Sequence, residues 1–212
     1  PCVWCYTRIL AGLEMRFLCS INAPLPRYLN EAGKIDKDSS DFEYFNKNWV
    51  AAERSIFEIA EAVKLGQGIT GCEVTDGKRA KRATGFVQAG LILFDIDSGW
   101  TIAEAMQSPF VHKFAGLIYK SPSHKEGADR FRIVVGLETP QTDKEFVRYL
   151  TKELAKELND YDFRATDPTR LFFGANPKTL DSIVLINEDT LLTDKIIKSY
   201  YDDYLAFKAA QE

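Results

Sequence analysis

Several things are scarce in this chain, and each shortage closes off a class of function. No apolar run approaches the ~18–20 residues that a membrane-spanning helix needs, so no membrane partner is expected. Positive charge is not in surplus: 27 Lys and Arg stand against 31 Asp and Glu, a formal net charge of −4. Any nucleic-acid surface must therefore be a local patch. No G-x-x-x-x-G-K-[ST] occurs, so the chain carries no motor motif of its own. Repeats and low-complexity tracts are missing. Cysteine is sparse, at Cys2, Cys5, Cys19 and Cys72. A disulfide scaffold is out of place in a chain of this size, and a reducing cytoplasm fits better. Cys2 and Cys5 form a C-x-x-C pair that Cys19 and Cys72 could complete as a zinc site, but the spacing matches neither a ribbon nor a finger. The alternative is that Cys19 and Cys72 are small buried hydrophobes.

What is present suits a globular domain: 45% hydrophobic and 27% charged residues in a 212-residue chain. Residues 1–14, "PCVWCYTRILAGLE", read as an extension outside the fold, without the charged start and cleavage pattern of a signal peptide. Residues 15–212 then form one domain. A strand is expected at 16–21 and a proline-punctuated loop after it. Phe42, Phe45, Trp49, Ala52, Ile56, Ile59 and Val63 recur in steps of three and four. That predicts a helix over 41–65, started by Asp41 and ended by Gly66. Further strands are expected at "GITGCEV", 88–96, "FAGLIYK", "DRFRIVVGL", "TRLFFGA" and "DSIVLIN". Helices are expected at "TIAEAMQS", capped by Thr101, at 142–158 and at about 190–208. Strands and helices are interspersed without strict alternation. The class is therefore α+β: a mixed or antiparallel sheet with flanking helices.

Four constellations could carry chemistry. "LILFDIDSGW" ends a buried strand with Asp95 and Asp97. Alternate strand residues share a face, so the two acids point one way and Ile96 the other. Paired carboxylates repel unless one is protonated or a cation lies between them. Carboxylate oxygens suit hard cations such as Mg²⁺ or Mn²⁺; the bland alternative is a solvated strand end. "YKSPSHKEGADRFRIVV" places Ser121, Ser123 and His124 in a loop. Arg130 and Arg132 follow on one strand face, with Phe131, Ile133 and Val135 on the other. Guanidinium forks bind phosphate oxygens well, although a charged outer face would look the same. "RATDPTRLFFGANP" offers Asp167 and Arg170, with Asp162 as a competing acid, and Asp167 is equally a turn residue. "GKRAKR" concentrates Lys78, Arg79, Lys81 and Arg82 into a basic loop that could track a nucleic-acid backbone. Tyr119 and Phe172 are candidate base-stacking surfaces, although core packing is the expected fate of Phe172. His112 reads as a surface residue without a role.

In this order, "LILFDID", "SPSHKEGADRFR" and "ATDPTRLFFGANP" resemble the three motifs of the archaeo-eukaryotic primase superfamily, the primase-polymerases. The resemblance is closest to primase domains of plasmid and phage replication proteins, and it spans roughly residues 70–177. It implies an RRM-like sheet beside a smaller α/β subdomain, with the active site in the cleft between. It implies that Asp95, Asp97 and Asp167 bind two Mg²⁺ or Mn²⁺ ions. His124 and Ser123 would contact an incoming triphosphate, and Arg130, Arg132 and Arg170 would bind its phosphates. The family motif is Ser-x-His, whereas Pro122 stands two before His124 here. The expected activity is nucleotidyl transfer from an NTP or dNTP on a single-stranded DNA template, with a helicase as a possible partner. A non-catalytic single-stranded nucleic-acid binding module is the competing expectation.

Overall fold

The computed structural model describes residues 14–22, 47–78, 85–158 and 166–211. Strand β1 (Phe17–Asn22) pairs antiparallel with β2 (Trp49–Arg54) and, on its other edge, with the short β3 (Ile69–Thr70). Between them lies helix α1 (Ile56–Lys64). A second sheet has five strands: β4 (Cys72–Val74), β5 (Phe86–Ile96), β6 (Ala115–Lys120), β7 (Phe131–Gln141) and β8 (Ile183–Ile186). Their spatial order is β4-β5-β7-β6-β8, antiparallel throughout. Helices α2 (Ile102–Ala105), α3 (Pro109–Phe114), α4 (Lys144–Ala155) and α5 (Asp194–Ala209) complete the chain. The α+β expectation is met, with antiparallel pairing in both sheets.

Period-two alternation divides the large sheet between two cores. Ile92, Phe94, Ile96, Phe131, Ile133 and Val135 face a core shared with α3, α4 and α5. Leu91, Leu93, Val134, Leu117 and Tyr119 face the opposite way, onto β1, α1 and Phe172. Both faces are covered, so β5 reads as an unbroken apolar run rather than an alternating one. The two sheets meet closely. A Cβ at Gly90 would lie 2.5 Å from the Leu18 carbonyl oxygen, so only glycine allows this approach.

Local chemistry starts the helices. Ser55 and Glu58 form a reciprocal capping box on α1, and Thr101 and Glu104 form another on α2. The expected helix over 41–65 is corrected: its described first part, Trp49–Arg54, is strand, and α1 begins only at Ile56. Asp41, Phe42 and Phe45 lie outside the described residues. β1 supplies a hydrogen-bonding edge for Trp49–Arg54, which outweighs the helical spacing of its apolar residues. "TRLFFGA" is likewise not a strand: it touches a sheet only through one isolated bridge, Ile69 to Phe172. Helix α3 was not expected, although Ser108 followed by Pro109 is a readable helix start. No described helix is long and apolar enough to cross a membrane.

Candidate active site

The site is built where β5, β6 and β7 end together. Their register places Asp95 opposite Arg132, and Arg132 opposite Tyr119. These three share the face that looks toward β1 and α1. Asp95 is 6% exposed, Arg132 7% and Tyr119 0%. The Arg132 Nε donates to Asp95 Oδ1 at 3.0 Å, and Arg170 Nη2 stands 3.8 Å from Asp95 Oδ2. The sequence left open what offsets the Asp95 charge, and in the structure two guanidinium groups lie against it.

Arg132 turns inward rather than toward solvent. Its Nη1 donates to the Phe173 carbonyl oxygen, which also accepts from the Tyr119 hydroxyl at 3.2 Å. The guanidinium lies 5.8 Å from the centroid of the Tyr119 ring and 5.6 Å from that of Phe172. Burial works against its charge, but Asp95 and Tyr119 outweigh it and hold Arg132 protonated beyond its ordinary range. Burial is also what raises the Tyr119 hydroxyl above its usual pKa. Tyr119 and Phe172 are therefore core residues that flank an arginine: the stacking expectation is corrected for Tyr119, and core packing holds for Phe172.

One step outward the picture changes. Asp97 lies just past β5 and is exposed, as is Arg130 just before β7. The Ser121 amide donates to the Arg130 carbonyl at 2.9 Å, which sets the β6–β7 connection beside them. Ser121 is 5% exposed and its Oγ is buried without a hydrogen-bond partner; Ser123 is exposed. His124 folds back over this connection. Its Nδ1 accepts the Arg130 amide at 3.3 Å, which leaves Nε2 as the available donor of a neutral ring. Burial and then Lys120 push its pKa down, while Asp129 opposes them from 3.8 Å. Asp129 Oδ2 in turn accepts the amide of Ile102 at 2.7 Å, tying this loop to the start of α2.

Asp167 is turned into its own segment. Its Oδ1 accepts from the Thr169 amide at 2.9 Å and the Thr169 hydroxyl at 3.0 Å, an Asx turn. Arg170 leaves this turn toward Asp95, as the proline-induced bend requires. Among the described residues no three His, Cys, Asp or Glu side chains converge as a metal site. The donors that suit a divalent cation are Asp95 and Asp97, hard oxygens two residues apart on one strand end; Asp167 does not join them. Lys78 is exposed beside the three-residue turn Thr75–Gly77. Arg79, Lys81 and Arg82 lie outside the described residues, as do Asp162, Cys2 and Cys5. Cys19 and Cys72 are both fully buried. His112 is exposed on α3.

Sequence reasoning missed Asp129, Phe173 and the inward turn of Arg132. Strand parity gave the correct face for Arg132 but not that this face is closed by a second sheet.

Comparison with known proteins places the chain. The family profile of the VapE N-terminal domain matches residues 51–208. The chain belongs to that family. The matched span holds every described residue of the candidate site above. None of the curated proteins matches the chain significantly. Among solved structures, the AEP domain of the cyanophage S-2L primase-polymerase is similar at 12% identity, covering 92% of this chain and 97% of that one, with a TM-score of 0.45.

Proposed function

We propose that this VapE N-terminal domain is a primase-polymerase catalytic domain. It would transfer a nucleotidyl group from an NTP or dNTP onto a 3′-hydroxyl on a single-stranded DNA template, in the replication of a plasmid or phage. The observation that carries the reading is the ordered end of the large sheet. An acid pair, a neutral histidine with a free Nε2–H and an exposed arginine gather there within one strand register. The motif resemblance supports it, and so does the family.

Asp97, at the solvent side of Asp95, and Asp95 itself are the residues that would hold Mg²⁺ or Mn²⁺. Such an ion, when bound, neutralises triphosphate charge and lowers the pKa of an attacking hydroxyl. The chain's own groups do the rest. Arg130 is exposed and carries a fixed fork of donors for phosphate oxygens. His124 donates from Nε2 and, being neutral, adds no charge of its own. Ser123 adds an exposed hydroxyl on the same connection. These groups orient the triphosphate rather than react with it, so their contribution is positional and electrostatic. Lys78 begins the basic stretch that would follow the template backbone.

The test is primer synthesis. The protein is mixed with circular single-stranded DNA, labelled nucleotides and Mn²⁺ or Mg²⁺, beside an Asp97→Ala control. New oligonucleotides from the native protein alone are the expected result. Extension of a supplied primer without new starts would narrow the activity to polymerisation. Binding of DNA with neither product would replace this reading with a non-catalytic binding module.

A further inference from the structure

Five residues are expected to contact the triphosphate: Ser123, His124, Arg130, Arg132 and Arg170. Arg132 is the most buried of them, at 7% exposed. One Arg132 guanidinium joins three chain segments that are remote in sequence. It ion-pairs with Asp95 on β5, lies against the Tyr119 ring on β6, and donates to the Phe173 carbonyl in the segment after the Asp167 turn. The guanidinium also lies 5.6 Å from the centroid of the Phe172 ring. With its side chain 8% exposed, Arg132 offers a ligand phosphate little surface.

We propose that Arg132 is a positioning residue rather than a phosphate contact: it fixes Asp95 and the Phe173 backbone in one geometry and acts on the reaction only through them. This rests on the functional reading above. The consequence is specific. The two acids of the D-x-D are not equivalent. Asp95 is the anchored one, its charge offset from within the protein. Asp97 is the exposed one, and Asp95 would reach an ion only in the geometry that Arg132 sets. Lysine could keep a charge opposite Asp95, but it lacks the planar fork that reaches Phe173 as well.

The experiment compares native protein with Arg132→Lys, Arg132→Met, Asp95→Asn and the double variant Asp95→Asn/Arg132→Met. The last removes both buried charges and so guards against failure to fold. Steady-state nucleotide incorporation is measured first. Arg132→Lys is expected to lower kcat by about thirtyfold or more while nucleotide KM stays within about threefold of native. A rise in KM of about tenfold with kcat preserved would overturn the proposal, because that is the signature of a lost ground-state phosphate contact. Urea unfolding gives the second readout, which needs no activity. The double variant is expected to have an unfolding constant at least about tenfold more favourable than the two single changes predict when added. Additive effects would show that Arg132 does not act through Asp95. If native protein incorporates no nucleotide, the functional reading falls, and the urea cycle alone decides whether Arg132 and Asp95 are coupled.

Discussion

Two rows of residues cross the end of the large sheet, and they have opposite characters. The inner row, Asp95, Arg132 and Tyr119, is buried, and its charges are met from within. The outer row, with Asp97, Arg130 and His124, is exposed or half-buried. The same residue types thus do different work one strand step apart. An acid and an arginine shielded from water stiffen the sheet end. An acid and an arginine in contact with water can exchange partners with a ligand. The difference lies in the packing: Tyr119 of the inner row shares a core with β1, α1 and Phe172, whereas Asp97 and Arg130 are exposed.

The comparison breaks most severely at Asp95. Asp95→Ala leaves Arg132 charged and buried without its carboxylate, and an orphaned buried charge costs about 3–5 kcal/mol. Urea denaturation should show a loss of that size. Asp97→Ala tests the other row. Its expected effect on stability is within about 0.5 kcal/mol, as for exposed positions. Nucleotide incorporation should fall at least about a hundredfold, since this acid faces the reacting charge. If Asp97→Ala unfolds the protein as Asp95→Ala does, the contrast between the rows is wrong.

Part of this contrast is legible in the amino-acid sequence. Alternation along "LILFDID" puts Asp95 and Ile96 on opposite faces, and "RFRIVV" does the same for Arg132 and Phe131. Both assignments hold because side-chain parity is a local property of a strand. Burial of one face against a second sheet is not local. It depends on β1, whose pairing with Trp49–Arg54 also turns an apparent helical stripe into a strand. Asp167 is legible both as a turn former and as an acid. Its sequence context does not decide between the two, and its Oδ1 is spent on Thr169.

His124→Ala is the next test in size. Loss of the Nε2 donor should raise nucleotide KM about tenfold with little change in urea midpoint, as one charge-assisted contact is removed. Cys19 gives the smallest and most indirect test, from the covered core beside the inner row. Burial pushes its thiol up to about 11, against the opposing pull of Arg54. The folded state therefore holds this proton more tightly than the unfolded chain, so the stabilisation is complete below the unfolded value near 9 and is lost as pH rises toward 11. At pH 10, about 1 kcal/mol should be gone relative to pH 8. Cys19→Ala should remove that share of the slope in urea midpoint against pH. The remaining slope belongs to other groups, Tyr119 among them.

The hydrogen bond from the Ile102 amide to Asp129 has a use beyond holding a helix start. It makes a single backbone proton a reporter. While Asp129 keeps its place beside His124, that amide is shielded from solvent. A ligand that draws the His124 loop away would release it, and its exchange with deuterium would quicken. Occupancy of the outer row could then be followed at Ile102, on a helix that contributes none of its residues.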